Sequence, residues 1–128
     1  MIEIYGSCNL KGYKKALKNF LNFVLKKEKN SKFKKIFIIF TNDNKIRKLN
    51  KKFLNKDEKT DVLSFQINEI GEIYVNVDFA KRLGNFSYYV AFYSLHGLLH
   101  LMGYDHKIKS KEKEMFDKQE KYMKLWKF

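Results

Sequence analysis

Lys35-Ile36-Phe37-Ile38-Ile39-Phe40, followed at once by Thr41-Asn42-Asp43, governs how the chain can fold. The unbroken apolar run Ile36–Phe40 is the pattern of a strand covered on both faces. Thr41–Asp43 then supplies N-cap chemistry for a helix through about Phe53, with Ile46, Leu49, Asn50 and Phe53 at helical spacing. Upstream, Ile2–Tyr5 predicts a short strand. Tyr13–Glu28 predicts a helix with Tyr13, Ala16, Leu17, Phe20, Leu21 and Val24 on one face and Lys14, Lys15, Lys18 and Asn22 on the other. Downstream, Asp61–Phe65 and Glu72–Val77 read as strands joined through a turn at Asn68–Gly71, with Ile73, Val75 and Val77 on one face. Ser87–Met102 reads as a largely buried helix. Lys109–Lys127 reads as an amphipathic helix through Met115, Phe116, Gln119, Tyr122, Met123 and Trp126. Strands and helices mixed in this way predict an α+β class.

The 128 residues hold one domain, 1–128, and 45% hydrophobic content is ample for a packed core. No apolar run reaches the roughly 18 residues that cross a bilayer, so no membrane partner is expected. The segment Met1–Asn9 lacks the basic and apolar regions of a secretory signal. Cys8 is the one cysteine, which excludes a disulfide-built scaffold and makes a reducing cytoplasm the expected location. The net charge of +13 points to a polyanionic partner, nucleic acid or an anionic surface. Only Arg47 and Arg82 among the 27 basic residues are arginine, the side chain suited to bidentate phosphate recognition. A Lys-, Asn-, Ile- and Phe-rich composition also arises from a biased genome, so charge alone leaves the partner open.

The chemistry gathers in His96-Gly97-Leu98-Leu99-His100-Leu101-Met102-Gly103-Tyr104-Asp105-His106, which holds all 3 histidines of the chain. His96 and His100 stand at i and i+4, so a helix projects both imidazoles from one face. Gly103 can take φ > 0, end that helix and turn the chain so that His106 arrives as a third ligand. Three nitrogens with a water in the open fourth position describe a catalytic Zn²⁺ site, although neutral imidazole also suits other divalent metals. Histidines and glycine match the metzincin protease spacing, but Gly97 stands where those proteases carry the Glu that serves as general base. That departure argues against peptide hydrolysis. It leaves metal-assisted hydrolysis open, because water on zinc ionises near pH 7 without a protein base.

The histidine block resembles the signature of the YbeY family of bacterial endoribonucleases, also described as rRNA maturation factors. Leu49-Asn50 and Thr60-Asp61-Val62-Leu63-Ser64-Phe65 form a second matching block, and Gly71-Glu72-Ile73-Tyr74-Val75 a weaker third, where the family usually has Gly-Asp-Ile. The likeness runs from about Ile36 to the C-terminus. It implies a mixed, roughly four-stranded sheet packed with helices, with the histidines in a basic groove. It also implies a metal-dependent endoribonuclease specific for single-stranded RNA. Such an enzyme acts on rRNA and ribosomal particles, at the 3′ end of small-subunit rRNA and in ribosome quality control, with no DNA specificity expected.

The chain departs from the family at Leu54, where an Arg is common, and at Lys59 and Gln66, where prolines are usual. Arg47, Lys52 and Lys56 are the candidate replacements for that Arg. Thr60 and Ser64 are candidates for phosphate contact, or for hydrogen bonds at the strand ends. Asp105 is a candidate for orienting a ligand histidine or a water, or a turn-former just past the helix. Two alternatives stand beside the nuclease: a metal hydrolase of another substrate class, and a ribosome-assembly or RNA-binding factor whose metal is structural.

Overall fold

The computed structural model describes residues 1–104 and 107–128. Strand β1 (Ile2–Tyr5) leads to helix α1 (Tyr13–Lys27), strand β2 (Lys35–Thr41) and helix α2 (Asp43–Leu54). The hairpin β3 (Val62–Ile67) and β4 (Ile70–Asn76) follows, then helices α3 (Val77–Arg82), α4 (Phe86–Leu101) and α5 (Lys109–Met123). The four strands form one sheet in the order β1-β2-β4-β3, with β2 parallel to both neighbours and β3 antiparallel to β4. This is the expected α+β domain with a mixed four-stranded sheet.

Alternation along the strands divides the sheet into two unlike faces. Ile36, Ile38, Phe40, Ile73 and Val75 are buried against α1 and α4, where Leu17, Leu21, Val24, Leu95, Leu98 and Leu99 complete the core. Tyr13, wholly buried, donates its hydroxyl to the Ser87 carbonyl at 2.6 Å and so ties α1 to the start of α4. Beyond α5, Trp126 and Phe128 pack edge-on against the Tyr13 ring.

On the opposite face, α2 lies over β3 and β4. Its Phe53 meets Phe65, a neighbour of Ser64 that points the other way, at a ring separation of 5.3 Å. Towards β1 this face is open, and Tyr5 and Phe37 pack on each other in partial contact with solvent. The central strand is therefore not covered on both sides, as its apolar run suggests. Phe37 and Ile39 are only half-buried, because α2 reaches only part of the sheet.

Three further expectations are corrected. Val77 does not extend β4: Asn76 accepts from the Asp78 and Phe79 amides and opens α3 instead. The hairpin turn is only Asn68 and Glu69, between paired Ile67 and Ile70, so Gly71 belongs to the strand and faces Gln66. Helix α5 ends at Met123, and Phe116, placed on its apolar face by periodicity, is 65% exposed.

Candidate active site

Helix α4 carries the candidate ligands, and its sequence explains its path. Asn85 caps it by accepting from the Tyr88 amide, and an almost wholly apolar run drives it along the inner face of β3 and β4. It ends where the glycine was expected to end it. Gly103 adopts φ 102°, its amide bonds the His100 carbonyl, and the Tyr104 amide bonds the Leu99 carbonyl, each at 3.1 Å. This left-handed closure satisfies two carbonyls that the last turn leaves without helical partners. His96 and His100 thus lie one turn apart on one regular helix, His96 half-buried and His100 exposed.

His96 is held from the neighbouring helix α5. Its Nδ1 lies 3.2 Å from Oε1 of Gln119, a residue of α5 that is itself buried. The other end of that amide donates from Nε2 to the Phe92 carbonyl, also at 3.2 Å. A carbonyl can only accept, so the amide orientation is fixed and Oε1 must face the ring. Nδ1 is then the protonated nitrogen, and metal coordination by this ring would use Nε2. Among the described residues, no group of three His, Cys, Asp or Glu side chains is arranged to hold a metal. His106 and Asp105, the expected third ligand and its neighbour, lie outside those residues. The donor pair nonetheless fits a metal by its chemistry: two imidazoles on one face, one of them oriented through its second nitrogen.

Gly97 explains why this helix lies so close to the sheet. A Cβ there would come within 2.6 Å of Ile73 Cγ2 and 2.8 Å of Ser64 Oγ. No side chain fits at this position without moving the helix, and a glutamate base of the protease kind has no space. Ser64 faces α4 and donates its hydroxyl to the Gly97 carbonyl at 3.3 Å.

Tyr104, just past α4, and helix α5 are tied to Glu28 at the end of α1. Its carboxylate accepts from the hydroxyls of Tyr104 and Tyr122 and from Lys118 Nζ, with a side chain only 6% exposed. Burial pushes this carboxyl up, but the three donors outweigh it and hold it below its ordinary range. The same burial and the neighbouring carboxylate push both phenols well up, so they remain donors. Sequence reading singled out neither Glu28 nor Gln119 for such a part. The available signal was a carboxylate ending a lysine-rich helix and an amide inside an apolar stripe.

The candidate cations stand elsewhere. Arg47 bonds Asp57 through Nε at 2.7 Å, and Lys52 lies over the Phe53 ring. Both belong to α2, across the sheet from the histidines. The second arginine, Arg82, grips Asp43 through both terminal nitrogens at 2.7 and 2.9 Å, and Asn76 also donates to that carboxylate. These bonds hold Asp43 far below the usual carboxylate range. Lys56 follows α2 and is exposed. Thr60 donates to Asp61 at 3.2 Å, and its carbonyl accepts from Asn76. Leu54, where the family Arg is expected, is half-exposed at the end of α2.

The Endoribonuclease YbeY family model matches residues 4–127. The Endoribonuclease YbeY of Staphylococcus carnosus is 34% identical over 132 aligned positions, covering 89% of this chain and 86% of that protein. The Endoribonuclease YbeY of Acholeplasma laidlawii is 36% identical over 100 positions, covering 70% of this chain and 73% of its own. The solution structure of TM1509 from Thermotoga maritima superposes with a TM-score of 0.69 at 34% identity, covering 97% of this chain and 87% of that one. The family match spans nearly the whole length and the same fold recurs in a solved relative, so the chain belongs to the Endoribonuclease YbeY family.

Proposed function

We propose that this protein is an endoribonuclease that cuts single-stranded RNA with one divalent metal, best matched by Zn²⁺, on His96, His100 and His106. Its substrates are rRNA and ribosomal particles in the cytoplasm, at the 3′ end of small-subunit rRNA and in ribosome quality control, without DNA specificity. The observation that carries this reading is the pair His96 and His100 on α4, with Nδ1 of His96 held by Gln119. Relatives named as endoribonucleases and a net charge of +13 support it.

When bound, the metal supplies a Lewis acid for charge developing on a phosphate and activates a water for attack. The chain's own side chains do the rest. Gln119 orients His96. Gly97 and Ser64 seat the helix against β3, so the Ser64 hydroxyl positions α4 instead of reaching a phosphate. Both arginines are committed to carboxylates, which leaves RNA backbone binding to lysines, Lys56 among them. Such contacts steepen the salt dependence of binding by about 0.7 in log K per phosphate on a single strand. Asp105 orients a ligand or a water beside His106.

The test compares one labelled sequence as single-stranded RNA, as RNA duplex and as DNA, with and without a chelator. Cleavage of the single-stranded RNA alone, abolished by chelation, is the expected result. Cleavage of casein without cleavage of RNA, or RNA cleavage indifferent to chelation, contradicts the reading.

A further inference from the structure

We infer that Gln119 is a positioning residue for the metal: it fixes the tautomer of His96 and presents Nε2 for coordination. The inference deepens the proposed function and rests on its reading of His96 as a ligand.

Three observations carry it. Gln119 is a polar side chain on the buried side of α5, where it is 5% exposed between buried Met115 and Tyr122. Burying an amide is costly unless both its ends are bonded, and here both are. Its Nε2 bonds the Phe92 carbonyl and its Oε1 bonds Nδ1 of His96, so one side chain spans one turn of α4. The carbonyl at Phe92 removes the ambiguity that usually attends an amide facing an imidazole, since a flipped amide would set two oxygens against each other. A neutral histidine side chain in isolation favours the proton on Nε2, the nitrogen that would coordinate the metal. The Gln119 acceptor reverses that preference before any metal arrives, as the carbonyl or carboxylate behind a zinc-binding histidine does.

The test uses the full chain labelled with ¹⁵N-histidine, whose 3 imidazoles are few enough to assign. Two measurements are made: the tautomer of His96 in the metal-free protein, and zinc affinity by chelator competition. In the wild type, Nδ1 of His96 is protonated. Gln119→Leu keeps the volume but removes the acceptor, so His96 moves to the Nε2–H tautomer and zinc affinity falls about 10- to 100-fold. Gln119→Glu keeps an acceptor towards the ring but sets its second oxygen against the Phe92 carbonyl, so it keeps the Nδ1–H tautomer and loses less zinc affinity than the leucine variant, at a cost in stability. Gln119→Asn, too short to reach the ring, behaves like the leucine variant and replaces it should leucine unfold the chain. An unchanged tautomer and unchanged zinc affinity in a folded Gln119→Leu protein overturn the inference. A wild type that binds no zinc, yet whose His96 tautomer follows position 119, overturns the metal reading and supports the hold of Gln119 on the ring.

Discussion

Ser64 on β3 donates its hydroxyl to the carbonyl of Gly97 on α4, 3.3 Å away, immediately after the first candidate ligand. The helix sits close against the sheet here, and Ile73, paired across the ladder from Ser64, presents its Cγ2 to the same side of the glycine. In an open helix, Gly→Ala stabilises by about 1 kcal/mol. Here the sign reverses, because Ile73 is wholly buried and cannot give way cheaply. Gly97→Ala is expected to destabilise by about 1–3 kcal/mol in urea unfolding and to weaken metal binding by displacing the histidines. Gly97→Glu, which restores the protease sequence pattern, is expected to unfold the chain instead of conferring peptidase activity.

Glu28 makes the pH dependence of stability calculable in sign. Its carboxyl lies below its ordinary value of about 4.5, because the donors outweigh burial. The stability it contributes is therefore fully present above about pH 4.5 and is lost as pH falls through the lower folded value. Glu28→Gln is expected to cost about 2 kcal/mol at pH 7, from hydrogen bonds to a charged group. The melting temperatures of variant and wild type should converge as pH falls below 4.5 and the carboxyl takes up its proton. A constant difference across that range would contradict the assignment.

Leu54 presents a direct gain-of-function experiment. The side chain is half-exposed at the end of α2, so nothing in the packing opposes a longer residue. Leu54→Arg is expected to change unfolding free energy by less than about 0.5 kcal/mol. It should raise affinity for single-stranded RNA and steepen the salt slope by about 0.7. An unchanged slope would show that position 54 faces no phosphate.

Arg47 carries the opposite expectation. It is bonded to Asp57 on the face of the sheet away from α4. Arg47→Ala should leave RNA cleavage within about twofold of wild type, with the salt slope of binding reduced by less than one phosphate's share. A loss of cleavage comparable to that of a histidine variant would place the RNA path along α2 as far as Arg47, and not only past its C-terminal end at position 54.

The parts of this structure that could be read from sequence are those fixed by local periodicity. The strand at Ile36–Phe40, the helix carrying both histidines, and the left-handed turn at Gly103 each follow from neighbouring residues. What escaped is set by distant contacts. Phe37 is half-exposed because α2 reaches only part of the sheet, and Phe116 is exposed although its spacing matches a core position. Trp126 packs beside Tyr13 although the helix before it has already ended. Helix α3 was legible in principle from Asn76, Asp78 and the basic pair Lys81-Arg82, but the alternating apolar residues before it read as strand. The partners of Glu28, Gln119 and Arg47 each lie ten or more residues away, where no periodicity reaches.

The most direct measurement is metal content together with cleavage of single-stranded RNA, for wild type and His100→Ala purified identically. His100 is exposed, so the substitution spares the core. The account predicts one equivalent of metal in the wild type, with loss of both metal and cleavage in the variant. A variant that cleaves as fast as wild type, or keeps its full metal content, would contradict the assignment of His100 as a ligand and the nuclease site with it.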